Sequence, residues 1–354
     1  MEDFCMKKKL VAATMAVVLA FGLAACGTAA TTPAEPETTD EAVTEEPAAE
    51  EAAPEENAET AEGAKTYVIG YSPATLNNAF WLAVEDGVKQ AITERGAEVQ
   101  LVEVDANGDQ SIMNDRISDL ISSGIDALLL APADSTACTS ALEQLDAAGV
   151  PVINFDTPVD AADLVETIIA SDNYNAGYVV GADAASKMED GAKVLVLHSP
   201  RASACVQRYD GFIAAMDESG KKYTVVNVLD GKGDQETSLG ITADAIVADP
   251  DLSIIFAVND PSAMGAVNAI EQSSATLANK IMVYGVDGNP DAKLMVKNGQ
   301  MEGTGAQSPE TLGYSSMMAA FDFLEGKTLE KEVVVDTFLI SADNVDEYGT
   351  DGWQ

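Results

Sequence analysis

Asp156, Asp287, Arg208, Asn259 and Gln307 are the residues whose types and places in the chain point most directly to chemistry. Four of them close short apolar runs: Asp156 ends VINFD, Asn259 ends IFAVN, Asp287 ends VYGVD and Gln307 follows TGA. At any one position a helix cap or an Asx turn accounts for such a residue. Five of them at one sheet edge favour a binding site. Carboxylates and a guanidinium can each take neighbouring hydroxyls through charge-assisted hydrogen bonds, worth about 1.5–3 kcal/mol each. Asn77, Asn78, Phe80 and Trp81, in the run YVIGYSPATLNNAFW, complete the kit. Aromatic faces accept the apolar C–H side of a sugar ring, and amides offer both donors and acceptors to its hydroxyls. Core packing explains Trp81, which shares a helical face with Val84 and Val88. It does not explain Phe80 as well, nor the amides before them. Two carboxylates against one Arg would repel an anion, so the expected ligand is an uncharged polyhydroxy molecule.

Such side chains must be presented by something rigid. From residue 66 the chain alternates apolar runs with amphipathic segments. Strands are expected at 67–71, 99–104, 127–130, from 149–153 onward, and at 167–170, 193–197, 224–229, 253–258, 281–286 and 304–306. Helices are expected at 110–122, with Ile112, Ile117, Leu120 and Ile121 inward, and then at 176–188, 205–218, 235–248, 262–272, 291–298 and 309–324. Another runs to Leu145, capped by Asp134 or Ser135. Strands this apolar are buried on both faces and belong to parallel sheets covered by helices. One sheet of some ten strands is unusually wide, so two six-stranded lobes are expected. The fold class is therefore α/β, two doubly wound parallel-sheet lobes joined by a hinge that the chain crosses several times. The lobes are 65–171 plus 308–336 and 172–307 plus 337–354. Hinged lobes close around a ligand, and the carboxyl edge of such sheets is where ligands sit.

The formal net charge is −40 with no basic stripe, which argues against nucleic acid as a partner, since phosphate neutralisation needs clustered Lys and Arg. Much of the charge lies in a low-complexity stretch: residues 27–64 hold twelve acidic residues and no basic one. That composition cannot bury enough surface to fold, and residues 28–64 read as an extended, self-repelling tether. Before it, Lys7, Lys8 and Lys9 precede an apolar run at 10–23, the pattern of a secretory signal whose start is either Met1 or Met6. Leu23-Ala24-Ala25-Cys26 resembles a bacterial lipobox, which implies cleavage after residue 25 and lipidation of Cys26. The alternative is an ordinary Ala-x-Ala signal. Cys138 and Cys205 remain in the folded part, where an extracytoplasmic location permits a bridge that sequence cannot place.

LNNAFW, VPVINFD, ASDNYNAG, VQRYDGF, FAVNDPSAMGA, VYGVDGNP and GAQSPETLG occur in this order. Through them the chain from about residue 67 to 336 resembles the periplasmic sugar-binding proteins of the ribose and galactose type, the substrate-binding components of carbohydrate ABC transporters. The resemblance implies capture of a monosaccharide or polyol, an ABC permease as partner, no cofactor or metal, and a monomer in the cell envelope. It also implies that Asn78, Phe80, Trp81 and Asp156 hold the sugar from the first lobe, and Arg208, Asn259, Asp287 and Gln307 from the second lobe and hinge. Thr157 stands where the ribose binders carry an arginine, and Gly233 lies where they carry a stacking aromatic. Both changes leave room for a ligand other than ribose. His198 follows the strand at 194–197 and either faces the cleft or is a loop residue; Tyr209 and Cys205 share that ambiguity.

Other functions fit less well. No glycine-rich phosphate loop or nucleophile elbow is present, and Asp156 with Asp287 would make a glycosidase pair only at a separation that sequence does not give. No catalytic residue is expected. A LacI-type repressor shares the fold but opens on a helix-turn-helix, where this chain has a signal and tether. A sugar sensor would use the same binding chemistry.

Overall fold

Ala-Leu-Leu-Leu at 127–130 and Ile-Ile-Phe-Ala at 254–257 have no polar alternation, so as strands they need cover on both faces. The computed structural model supplies it. It describes residues 66–273 and 280–354, which lie within one compact unit, Thr60–Gln354. The basic segment 7–9, the apolar run 10–23, Cys26 and the tether 28–64 lie outside the described residues.

Strands β1 (Thr66–Ser72), β2 (Glu98–Glu103), β3 (Ala127–Leu130), β4 (Val152–Phe155) and β5 (Thr167–Ser171) belong to a first sheet. β6 (Ala192–His198), β7 (Tyr223–Asp230), β8 (Ile254–Ala257), β9 (Met282–Asp287) and β10 (Gly303–Ala306) belong to a second. Two late strands complete six in each: β11 (Glu332–Val335) joins the first and β12 (Phe338–Ser341) the second. The orders are β11-β5-β4-β3-β1-β2 and β12-β10-β9-β8-β6-β7. Pairing is parallel except between β10 and β12. The α/β class with two sheets is thus as the sequence implies, while the two edge strands that complete them were not anticipated.

Helices α1 (Ala79–Arg95), α2 (Gln110–Ser123) and α3 (Thr139–Ala148) flank the first sheet. α4 (Asn173–Lys187), α5 (Ser203–Glu218), α6 (Gln235–Ala248), α7 (Asp260–Gln272) and α8 (Pro290–Lys297) flank the second. α9 (Pro309–Leu324) returns to the first sheet and lies along α1. A side chain at Gly87 of α1 or Gly313 of α9 would run into a backbone carbonyl of the other helix, so their closeness depends on both glycines. The chain passes between the sheets after β5, after β10 and between β11 and β12.

Each sheet has an apolar cluster on either face, set by the two-residue period of its strands. Leu128 and Leu130 point to the α2–α3 side and Leu129 to the α1–α9 side. In α2, Ile117 and Leu120 are buried as the sequence implies and Ile121 packs against the same cluster, but Ile112 is exposed and Met113 takes the buried place instead. Neither Asp134 nor Ser135 caps α3. Its N-cap is Cys138, and the Asp134 carboxylate instead accepts from the amides of Thr136 and Ala137.

Candidate functional site

The carboxyl ends of the strands in the two sheets meet at a cavity of about 140 Å³. Asn78, Phe80, Trp81, Asp156 and Thr157 line it from the first sheet's side; Arg208, Asn259, Asp287 and Gln307 line it from the second's. Hydrogen bonds join the two sides: Ser135 N donates to Arg201 O (3.0 Å), Ser203 N to Ser135 Oγ (3.0 Å) and Ser203 Oγ to Pro158 O (2.5 Å).

On the first side, β1 leads through a short loop into α1. Asn78 caps that helix, its Oδ1 accepting from Phe80 N at 2.9 Å. The cap fixes the first turn, and with it two rings: Phe80 meets Trp81 edge-on at 5.2 Å, and Trp81 meets Phe155 of β4 at 6.0 Å. Tyr71 Oη donates to Trp81 O at 2.9 Å, tying the turn to β1. Phe80 and Trp81 are both buried and belong to the first sheet's core cluster, so the cavity wall and the core are one structure.

Asp156 follows β4 with φ 58°, a left-handed conformation that favours glycine. Thr157 Oγ1 donates to its Oδ2 (2.8 Å), while its Oδ1 has no hydrogen-bond partner. Burial pushes this carboxyl above its usual range, against the opposing influence of Arg208 and the Thr157 bond.

The second side is a polar network. Arg208 donates from Nε to Asn173 Oδ1 (2.8 Å) and from Nη1 to Val258 O (3.0 Å) and Asp287 Oδ1 (3.4 Å). Gln307 Nε2 donates to the same Asp287 oxygen at 2.8 Å, and Gln307 Oε1 has no partner. Asp287 also has positive φ, 145°. Its carboxyl is raised well above the ordinary value, mainly by burial; Arg208 opposes the shift, and Asp260 and Asp156 add to it. Asn259 caps α7, accepting from Ser262 N (3.2 Å) and donating to Gly233 O (3.0 Å).

Asn78 and Asn259 therefore serve as helix caps and line the cavity as well. Strain at both aspartates is a feature that sequence did not suggest, and strained, buried polar positions gather at functional sites. Two buried acceptors, Asp156 Oδ1 and Gln307 Oε1, are open to a donor.

Two residues are not brought into the cavity. Asn77 is exposed in an outer groove, its amide donating to Asn107 Oδ1 at 2.8 Å, because Asn78 rather than Asn77 takes the cap. His198 packs on Tyr209 at 5.2 Å and is not among the lining residues; burial lowers its pKa. Arg208 sits in the second turn of α5, since the helix starts at Ser203 rather than Cys205. Sequence reasoning missed Arg201 and Lys232, which also line the cavity, and the role of Asn173, which orients Arg208. Cys138 and Cys205 are free thiols, and Cys205 lines the cavity. Among the described residues no cluster is suited to a metal ion.

Comparison with known proteins agrees with this geometry. Residues 69–328 match the family described as periplasmic binding protein domain. Ribose import binding protein RbsB of Bacillus subtilis is 37% identical over 270 residues, covering 76% of this chain and 85% of its own length. An ABC transporter solute binding protein from Agrobacterium vitis with bound D-fucose is 26% identical with a TM-score of 0.74, covering 79% of this chain and 97% of its own. Another from Mycobacterium smegmatis, with bound glycerol, is 28% identical with a TM-score of 0.72, covering 80% of this chain and 97% of its own. With its paired doubly wound sheets and the cavity between their carboxyl edges, this chain belongs to the periplasmic binding protein family, in its type I architecture.

Proposed function

We propose that the protein captures an uncharged monosaccharide or polyol between its lobes and delivers it to an ABC permease for import. The observation that carries this reading is the pair of buried, unpartnered acceptors, Asp156 Oδ1 and Gln307 Oε1, on opposite sides of a cavity that also presents Phe80 and Trp81. Sugar hydroxyls supply the missing donors, and the rings cover the sugar's C–H face. Asn78, Thr157, Arg208, Asn259 and Asp287 complete the contacts. The named relatives support the class: one is a ribose import binding protein, and others were solved with D-fucose or glycerol.

The lobes, 65–171 with 308–336 and 172–307 with 337–354, close around the sugar. Thr157 is short, and a side chain at Gly233, which has φ 67°, would crowd the Asn259 amide. We therefore place hexoses and polyols ahead of ribose. Lipidated Cys26 anchors the protein outside the cytoplasm as a monomer, with 28–64 as its tether.

Calorimetric titration with D-ribose, D-allose, D-fucose, myo-inositol and glycerol tests the reading. Binding near micromolar, about −8 kcal/mol, is expected for at least one of them. No heat from any of them overturns capture, and ribose binding as tightly as the best hexose or polyol overturns the preference. Turnover of aryl glycosides would replace capture with catalysis. Mass spectrometry of membrane-extracted protein is expected to find a lipid on Cys26, and Cys26→Ala is expected to release the protein.

A further inference from the structure

Beyond β12 the chain makes the short helix α10 (Val345–Tyr348), turns at Gly349 (φ 68°) and comes back to the site. Its adjacent residues Trp353 and Gln354 then face in different directions. Trp353 meets Phe80 edge-on at 5.8 Å and packs against the first sheet's core cluster. Gln354 Nε2 donates to the carbonyl of Asp287 (3.1 Å) and to that of Gln307, at the ends of β9 and β10. One residue thus touches the aromatic wall of the first side, and its neighbour touches the backbone beneath two polar residues of the second. Neither lines the cavity itself.

The seat of this segment is built from both sides. Lys293 of α8 is fully buried, and its Nζ donates to Gly352 O (2.7 Å) and Gln354 Oε1 (3.2 Å). A buried ammonium is costly unless its donors find acceptors, and here residues 352 and 354 provide them. Burial lowers the Lys293 pKa, with Asp351 and Asp260 opposing that shift. Gly288, at φ 76°, leaves the place where a side chain would meet the Gln354 amide. Packing of a passive tail would not need a buried cation and a bare backbone position arranged around one amide.

We infer that Trp353 and Gln354 form a strap across the two lobes, positioning Phe80, Asp287 and Gln307 and slowing release of the captured molecule. The inference rests on the sugar-capture reading. The strap touches both sides at once in this structure, and in the proposal it acts after closure. Its loss should raise the dissociation rate and leave association nearly untouched, the usual division for contacts formed late.

Stopped-flow kinetics with the five compounds named above provides the test, using the full chain and the variants Trp353→Ala, Trp353→Phe, Gln354→Ala and Lys293→Met. For whichever compound binds, Trp353→Ala, Gln354→Ala and Lys293→Met are expected to speed release about tenfold, with association within about twofold of the parent. Trp353→Phe keeps an edge-on ring and is expected to restore slow release, which a general loss of stability would not do. Should Trp353→Ala fail to fold, Gln354→Ala carries the test, since it leaves the Trp353 ring in place and removes the amide that meets the strand ends and Lys293. Release rates equal to the parent's in Gln354→Ala and Lys293→Met overturn the strap and leave capture standing. A parent protein that takes none of the five overturns capture, and the strap with it.

Discussion

Phe80 and Trp81 reach the cavity as the outermost members of a hydrophobic core, whereas Arg208, Asp287 and Gln307 reach it as members of a buried hydrogen-bond network. The two walls therefore couple binding to folding differently. On the aromatic side the surface offered to the ligand is the same surface that holds α1 to β1, β4 and α9. On the polar side, desolvated carboxyls are kept in place by backbone and side-chain donors at a cost to stability, visible in their raised pKa values. One wall is stabilising and also binds; the other is held against its own electrostatics so that it can bind.

Substitution on the aromatic side should have the largest effect on folding. Trp81→Ala removes a buried indole from the first core and is expected to cost about 3–5 kcal/mol in urea unfolding, along with sugar affinity. A loss below about 1 kcal/mol would separate the wall from the core and break the comparison.

Next comes the titration of Asp260, which stands behind the polar wall. Its carboxylate accepts from Thr304 Oγ1 (2.7 Å) and Asn289 N (2.8 Å), yet burial pushes its pKa up to about 6 from 3.8. The folded protein thus holds this proton more tightly than the unfolded chain does. The contribution is fully present below about pH 3.8 and is lost as pH rises through about 6. Thermal unfolding followed between pH 4 and pH 7 should show this decline, added to that from Asp156 and Asp287, whose carboxyls shift in the same direction. Asp260→Asn should flatten part of the slope; an identical slope in the variant would remove Asp260 from the account.

Asp287→Asn sharpens the contrast between the walls. The amide keeps an oxygen for Gln307 and Arg208 but removes a carboxylate that folding disfavours. Affinity for the best sugar is expected to fall by about 1.5–3 kcal/mol, with the loss of a charge-assisted acceptor. The unfolding midpoint at neutral pH is expected to stay level or rise. Calorimetry paired with thermal melts would show whether affinity and stability move apart, as they do not in Trp81→Ala.

What could be read from the sequence follows the same division. Runs such as 127–130 and 254–257 announce buried parallel strands because they lack alternation, and polar residues at the ends of such runs mark a sheet edge. β11 and β12 escape that logic. Glu332–Val335 alternates exposed with half-buried positions, as a sheet edge does, and Phe338–Ser341 is antiparallel. The wall residues were legible from type and position, but their partners were not. The bond from Arg208 to Asn173 joins residues far apart in the chain, and the positive φ of Asp156 and Asp287 leaves no mark in an aspartate as it would in a glycine. In α2, Met113 rather than Ile112 joins Ile117 and Leu120 in the core, and the polar Gln110 is buried on the same face, its side-chain oxygen accepting from Asp134 N.

The smallest expected effect separates two adjacent amides. Asn78 Oδ1 holds the first turn of α1, and its side chain lines the cavity, while Asn77 is exposed and bonded to Asn107. Asn78→Ala should cost about 1 kcal/mol of stability through the lost cap, with a measurable loss of sugar affinity. Asn77→Ala should change stability by less than about 0.5 kcal/mol and leave affinity unchanged within error. If Asn77→Ala weakens binding as much as Asn78→Ala does, the outer groove takes part in capture, and the aromatic wall reaches further toward solvent than the cavity alone implies.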